Sequence, residues 1–260
     1  SLRQDVKETV ANLLNYERET APFFEGGVRY FYRNTGLQSQ SVLFRQDQNG
    51  TEQVFLDPNT FSDDGTVSMS GVSFSSDGSL VAYQLSEGGS DWRSIEVRDA
   101  QTGSVIEPPL RDVKFSGIDW LGNEGFFYSS YDKPDGSELS AKTDQHKLYF
   151  HAIGTPQSED ILVFGGTPEQ KHRYVGADIG GDDRYLVITA ANSTSGNKLF
   201  IKDLSLESDS LIPIFSDESA DGSLLESSGE VLLIATNRDA AKGRVIAVDP
   251  QRPNANNWRD

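Results

Sequence analysis

The chain has 260 residues, no cysteine and a formal net charge of −17. Without cysteine the sequence supports neither disulfides nor thiolate chemistry, and its acidity argues against a nucleic-acid partner, because such binding depends on lysine and arginine displacing counterions. The 24 glycines, 14 phenylalanines and 9 tyrosines favour strands and tight turns over helices.

The first residues carry an amphipathic pattern. Apolar residues recur at helical spacing, with charged residues between them: Val6, Val10, Leu13 and Leu14. The pattern predicts a short helix over residues 5–14, and Pro22 marks the exit. We expect this helix to pack against a domain outside this sequence. No apolar run is long enough to span a membrane, and the first twenty residues lack the apolar core of a secretion signal.

An internal repeat of about fifty residues follows. An aromatic and β-branched strand is predicted in five copies: Arg29–Tyr32, Leu80–Tyr83, Gly125–Tyr128, Tyr185–Ile188 and Val231–Ile234. A second strand follows each copy: Val42–Arg45, Ile95–Arg98, Leu148–His151, Leu199–Lys202 and Val245–Val248. A closing strand is predicted in four copies: Gln53–Leu56, Ser104–Ile106, Asp160–Val163 and Leu211–Ile214. The fifth copy reaches residues 258–260, where its closing strand would begin.

Another strand precedes the aromatic one in three copies: Val72–Phe74, Gly117–Trp120 and Val175–Asp178. It leads into a turn such as Ser75–Gly78, whose residues tolerate tight backbone geometry. Each repeat is therefore predicted to be a four-stranded antiparallel meander, which can bury its two apolar faces only against neighbouring repeats. The sequence predicts an all-β fold of propeller blades. The alternative is a β-sandwich, which does not repeat one quartet of strands.

Several catalytic patterns are absent from the sequence. There is no Gly-x-Ser-x-Gly elbow of the kind that presents a nucleophilic serine. The three histidines, His146, His151 and His172, form no metal-ligand motif, and we interpret them as structural or surface residues. The acidic loop at residues 57–65 only loosely resembles a calcium loop, because it lacks the glutamate that completes one. We expect no metal ion and no cofactor.

Several stretches resemble the propeller of prolyl oligopeptidase, the serine peptidase family that cleaves short peptides after proline. They are Tyr32–Leu43, Val54–Asn59, Ser62–Thr66, Phe74–Gly78, Gly89–Trp92, Val113–Ser116, His146–His151 and Gln157–Leu162. The resemblance runs from the helix to Trp258. It implies a propeller of seven blades, of which this chain supplies about five. The propeller would sit over the mouth of an α/β-hydrolase domain and admit only short peptides.

The resemblance also implies how the chain is organised. Residues 1–22 are expected to be the helical segment that links to the hydrolase domain, and residues 23–260 an incomplete ring of blades. The parent would be a serine-type prolyl endopeptidase whose catalytic triad lies outside this chain, so the chain alone is expected to be inactive. Its partners would be that hydrolase domain and short proline-containing peptides, without nucleic acid or membrane. The expected compartment is the cytoplasm, or the periplasm if a signal peptide has been removed.

The resemblance assigns site residues as well. It implies that Phe115 lines the substrate cavity; a core aromatic between strands is the alternative. By alignment, Tyr174, Ser193 and Thr194 would also lie near the cavity, while Asp91 and Trp92 would lie near the facing hydrolase surface. Ser70 departs from the family pattern, because some members carry arginine at this position. The resemblance therefore implies no substrate-facing charge at Ser70.

Two other classes of function remain open on the sequence alone. One is a free-standing propeller that acts as a protein-interaction module. The other is a glycosidase-like enzyme with paired carboxylates at a central channel, which spacing in sequence cannot reveal. A reading frame that continues into a Gly-x-Ser-x-Gly hydrolase segment would favour the peptidase.

Overall fold

The computed structural model describes residues 1–133, 143–208, 210–228 and 230–260. Its strands form five antiparallel sheets, which correspond to the five predicted repeats. The chain groups into two compact units, Ser1–Arg111 and Asp112–Asp260. Sequential strands pair with one another throughout, as expected for meanders joined by short turns.

The first unit begins with helix α1 (Leu2–Leu14). The first sheet contains β1 (Arg18–Glu19), β2 (Phe23–Glu25), β3 (Val28–Asn34), β4 (Val42–Gln46) and β5 (Glu52–Leu56). Its order is β1-β3-β4-β5, with β2 also paired to β3. The second sheet has the order β6-β7-β8-β9 and consists of β6 (Val67–Phe74), β7 (Leu80–Glu87), β8 (Trp92–Asp99) and β9 (Leu110–Lys114). A core that includes Tyr30, Leu43, Leu56 and Tyr83 packs in this unit.

The second unit contains the remaining three sheets. The third sheet consists of β10 (Asp119–Leu121), β11 (Gly125–Ser130), β12 (Lys147–Ala152) and β13 (Ile161–Phe164). The fourth consists of β14 (Tyr174–Ile179), β15 (Tyr185–Ala191), β16 (Lys198–Asp203) and β17 (Ile212–Phe215). The fifth consists of β18 (Gly222–Ser228), β19 (Val231–Thr236) and β20 (Arg244–Val248). In each sheet the strands follow chain order.

Strand β15 shows why the repeats must stack. Leu186 and Ile188 belong to a core shared with residues of the third sheet. Tyr185 and Val187 belong to a different core, shared with residues of the fifth sheet. Successive side chains of a strand point to opposite faces, so this strand is buried on both sides. A central blade strand can meet that requirement only between two neighbouring sheets.

Helix α1 confirms the amphipathic prediction and starts three residues earlier than the predicted Asp5. None of its residues is buried, and the apolar side chains stay in solvent: Leu13, for example, is 70% exposed. The helix therefore presents an apolar face with no partner among the described residues. No described helix is long and apolar enough to cross a membrane.

The structure adds strands that the sequence pattern missed. β1, β2 and β18 are short or lack a regular alternation of buried and exposed residues. The closing strand predicted at 104–106 is wrong in extent. Val105 makes only an isolated bridge to Arg98, and the longer strand β9 follows. Pro108 and Pro109 lie between them, and proline cannot donate to a strand ladder. At the end of the fifth repeat, Arg259 bridges Ala247, where the sequence predicted that a closing strand would begin.

Candidate functional site

Phe115 and Tyr174 lie side by side in the second unit. Their ring centroids are 6.1 Å apart and their planes are tilted by 55°. Phe115 is 46% exposed and Tyr174 is 37% exposed, so neither ring is part of the core. Phe115 lies in the segment before β10, and Tyr174 is the first residue of β14. The structure thus brings together two of the predicted site residues, one from the segment between β9 and β10 and one from β14, as one exposed aromatic surface.

The backbone at Phe115 has an unusual conformation. Phe115 has a φ of +53° and Asp112 a φ of +56°. Bulky residues avoid this left-handed region, and residues held there cluster at functional sites. Two residues of β11 hold this segment by hydrogen bonds. The Ser130 hydroxyl donates to the Asp112 carbonyl. The Ser129 amide also donates to the Ser116 hydroxyl at 2.7 Å.

Positive charge accompanies this aromatic surface. Lys114 Nζ lies 5.2 Å from the centroid of the Phe115 ring. An ammonium group over a ring face is attracted by the ring quadrupole, which contributes about 0.5–1 kcal/mol at exposed sites. Lys133 Nζ forms an ion pair with Asp112 Oδ1 at 2.9 Å. Lys114 is itself only 7% exposed and Lys133 is paired with Asp112, so the exposed part of this surface is mainly aromatic.

Ser193 and Thr194 lie in the loop between β15 and β16, and both are exposed. This loop begins directly after Ala191, the register partner of Tyr174. Both residues therefore follow the end of the sheet at which Tyr174 lies. Within the loop, the Ser193 hydroxyl accepts a hydrogen bond from the Ser195 amide at 3.3 Å. Their contact with a substrate stays a prediction.

Asp91 and Trp92 belong to the first unit. Asp91 is exposed in the turn between β7 and β8, and Trp92 is the first residue of β8. This turn joins the second and third strands of its sheet, as the β15–β16 loop does in the fourth sheet. The Trp92 amide donates to the Ser90 hydroxyl at 3.1 Å, which fixes the start of the strand. Their proximity to a hydrolase surface stays a prediction.

A guanidinium group occupies the position next to Ser70. Arg93 Nη1 donates to Ser70 Oγ at 2.8 Å and to Gln84 Oε1 at 3.0 Å. Ser70 itself carries no charge, but β8 supplies a cation against its hydroxyl. Sequence position alone could not show this, because Arg93 is 23 residues away in the chain.

All three histidines are buried, which excludes the surface interpretation. His151 Nδ1 lies 2.7 Å from Asp160 Oδ1, and Tyr128 donates to the other oxygen of that carboxylate, also at 2.7 Å. His172 Nδ1 lies 3.1 Å from the Gln170 carbonyl. The described residues contain no group of three or more histidine, aspartate or glutamate side chains that could hold a metal ion.

Two further residues of this region were not predicted as site residues: Tyr131 was not singled out, and His146 was interpreted only as structural or surface. Tyr131 packs edge-on against Phe115, with ring centroids 6.2 Å apart and planes at 87°. His146 stacks on Tyr131 with a centroid distance of 4.3 Å. Neither has a local sequence signal, because both are placed by contacts over long separations in the chain. His146 lies inside one of the stretches that resemble prolyl oligopeptidase, which was the only signal available.

Comparison with known proteins identifies the fold and the family. The model of the prolyl oligopeptidase N-terminal β-propeller domain matches residues 1–260. Prolyl endopeptidase from Elizabethkingia meningoseptica is 49% identical over 259 residues, which are 99% of this chain and 36% of that protein. Prolyl oligopeptidase A from Amanita bisporigera is 31% identical over 292 residues, with 96% of this chain and 37% of that protein covered.

A solved structure agrees with these matches. Prolyl oligopeptidase B from Galerina marginata, bound to a 25mer macrocyclization substrate, has a TM-score of 0.85 at 28% identity, covering 96% of this chain and 38% of that one. The chain therefore spans little more than a third of the length of these relatives, and its five sheets are blades of a β-propeller. This chain belongs to the family of N-terminal β-propeller domains of prolyl oligopeptidases.

Proposed function

We propose that this chain is the substrate-gating propeller portion of a serine endopeptidase that cleaves short peptides after proline. The exposed pair of Phe115 and Tyr174 carries the proposal. Two exposed rings held by a strained backbone segment are suited to pack against apolar groups of a peptide, as aromatic grooves do in domains that bind proline-rich segments. Family membership and the 49% identity to a prolyl endopeptidase support the reaction class.

The catalytic serine, aspartate and histidine would belong to an α/β-hydrolase domain of the same protein. This chain matches only about a third of the relatives' length, and the rest of those proteins has no counterpart here. The hydrolase domain would correspond to that remaining part. The exposed apolar face of α1, with Leu13 70% exposed, would pack against it. Asp91 and Trp92 would face the same domain. The cytoplasm is the compartment that we expect.

Phe115→Ala tests the proposal in the protein that carries this chain. We expect KM for a short proline-containing peptide to rise about tenfold, equivalent to about 1.4 kcal/mol of binding, with kcat changed much less. The melting temperature should stay close to that of the wild type, because the ring is 46% exposed and its loss opens no core cavity. Steady-state kinetics and thermal melting of the same preparation measure both quantities.

Phe24→Ala is the matched control, since Phe24 is 66% exposed on β2 and has no role in the proposed surface. It should leave both KM and the melting temperature unchanged. An unchanged KM for Phe115→Ala together with a large drop in melting temperature would assign Phe115 a structural role and contradict the proposal.

A further inference from the structure

His146 connects the two backbone segments that present the aromatic surface. Its Nε2 lies 2.8 Å from the carbonyl oxygen of Lys114, the residue before Phe115. Its Nδ1 accepts a hydrogen bond of 2.8 Å from the amide of Val175, the residue after Tyr174. The side chain is 0% exposed, so water does not compete for either bond. One imidazole thus links the backbone next to each exposed ring.

These two partners determine the form of the imidazole. A carbonyl oxygen can only accept and an amide N–H can only donate, so the ring carries its proton on Nε2 and has a lone pair on Nδ1. A charged imidazolium would lose the bond to Val175. Burial lowers the pKa of His146 to about 4, and this outweighs the opposing effect of the bond to the Lys114 carbonyl. His146 is therefore neutral at pH 7, as the geometry requires.

Tyr131 reinforces the same connection. Its ring stacks on His146 and meets the Phe115 ring edge-on. Its hydroxyl donates to the carbonyl of Arg173, the residue before Tyr174. Burial raises the pKa of Tyr131 to about 12, so the hydroxyl keeps its proton and remains a donor at neutral pH. The backbone on both sides of Tyr174 is thus held by this histidine and this tyrosine.

We propose that His146 and Tyr131 are positioning residues, which fix Phe115 and Tyr174 as one preformed surface for a short peptide. This inference rests on the proposed function of the aromatic pair. Phe115 needs such support because its left-handed backbone would otherwise relax toward ordinary φ values. A surface ordered before binding avoids the entropic cost of ordering it on binding, so the positioning residues contribute to peptide affinity without touching the peptide.

The test is a double-mutant cycle in the protein that carries this chain. His146→Phe keeps a ring in contact with Tyr131 but removes both backbone hydrogen bonds. We expect KM for a proline-containing peptide to rise about five- to tenfold, with kcat within about threefold of the wild type, because the lost interaction is made in the ground state and transition state alike. In a background that carries both Phe115→Ala and Tyr174→Ala, the same substitution should change KM by less than about twofold, since its effect acts through those two rings.

His151→Phe is the control for loss of a buried histidine. It breaks the hydrogen bond between His151 on β12 and Asp160, the residue before β13. It should lower the melting temperature but leave KM unchanged. If His146→Phe does not fold, Tyr131→Phe replaces it, because only the hydroxyl bond to Arg173 is removed; KM should then rise about two- to threefold.

The outcomes separate the two proposals. If Phe115→Ala leaves KM unchanged, the proposed function of the aromatic pair fails. If Phe115→Ala raises KM but His146→Phe and Tyr131→Phe do not, the positioning role is overturned while the function stands. Full additivity of His146→Phe with the two ring substitutions in the cycle would also overturn it.

Discussion

Phe115 shows how a single residue can reveal a functional segment. It occupies a φ of +53° although it is neither glycine nor asparagine. Left-handed backbone costs an ordinary residue roughly 1–2 kcal/mol. Here the cost is offset by hydrogen bonds from β11 and by the link through His146. The same position presents an exposed ring, so the strain coincides with the surface that we propose for peptide binding.

Glycine and alanine substitutions at Phe115 measure this strain. We expect Phe115→Gly to be about 1 kcal/mol more stable than Phe115→Ala, because glycine enters the left-handed region without a steric penalty. At Phe24, in strand β2, the order should reverse, with glycine about 0.5–1 kcal/mol less stable than alanine. Urea unfolding of the four variants checks both differences. If glycine is less stable than alanine at both positions, Phe115 is not strained.

At the scale of elements, the first strands of successive sheets bring two carboxylates into a poorly solvated region. Asp119 lies on β10 and Asp178 on β14, two strands that are neighbours in the second unit. Burial, with a further contribution from the charge of Asp178, raises the pKa of Asp119 to about 7. Burial also raises the pKa of Asp178. Ordinary aspartate titrates near pH 4, so folding favours the protonated form of Asp119.

The sign of the pH dependence follows from that pKa. Between about pH 4 and pH 7 the native chain binds more protons at Asp119 than the unfolded chain, so the free energy of unfolding falls as pH rises through this range. Asp119→Asn removes the effect. We expect the variant to be more stable than the wild type by up to about 4 kcal/mol at pH 8, since the shift of roughly three pKa units corresponds to about 1.4 kcal/mol per unit, and about equal to it at pH 4.

Denaturant unfolding at the two pH values measures these differences. Asp63→Asn, at an exposed position of the first unit, is the control and should show no difference at either pH. A destabilised Asp119→Asn at pH 8 would mean that the ionised carboxylate makes a favourable interaction, contrary to this assignment.

At the scale of the whole molecule, the chain combines an acidic exterior with blades that carry no nucleophilic elbow. It matches the N-terminal propeller family over its full length and covers 36% of a relative named prolyl endopeptidase. In the proposed function, the blades select the peptide and a separate domain cleaves the bond. The rings and backbone amides of the chain can position a peptide, and all three of its histidines are buried.

We therefore expect the 260-residue chain alone to show no turnover of a proline-containing peptide reporter. A fluorogenic peptide assay measures this, with a prolyl endopeptidase as the positive control. Turnover that a serine-directed phosphonate abolishes would show that the chain itself contains a nucleophilic serine, and the proposed assignment of cleavage to a separate domain would then be wrong.

The sequence by itself determined the blades. The aromatic strands at 125–128 and 185–188 were predicted because two-sided burial selects apolar residues along a whole strand, and that signal is local. The turn at Ser75–Gly78 was also predicted from a local signal, because its residues tolerate tight backbone geometry. In the structure Gly78 adopts a φ of +72° and its amide donates to the Ser75 carbonyl. Strand β18 was missed because few of its residues are buried, so it has no regular pattern.

Only the tertiary structure decided which residues form the candidate site. Phe115 and Tyr174 were named by resemblance, but their contact depends on the segment before β10 meeting the start of β14. His146 lies 31 residues from Phe115, and Tyr131 lies 43 residues from Tyr174. The bonds of His146 go to backbone atoms, which every residue possesses, so no residue type in the partner segments could indicate them. The fold alone brings that carbonyl and that amide to the two nitrogens of one imidazole.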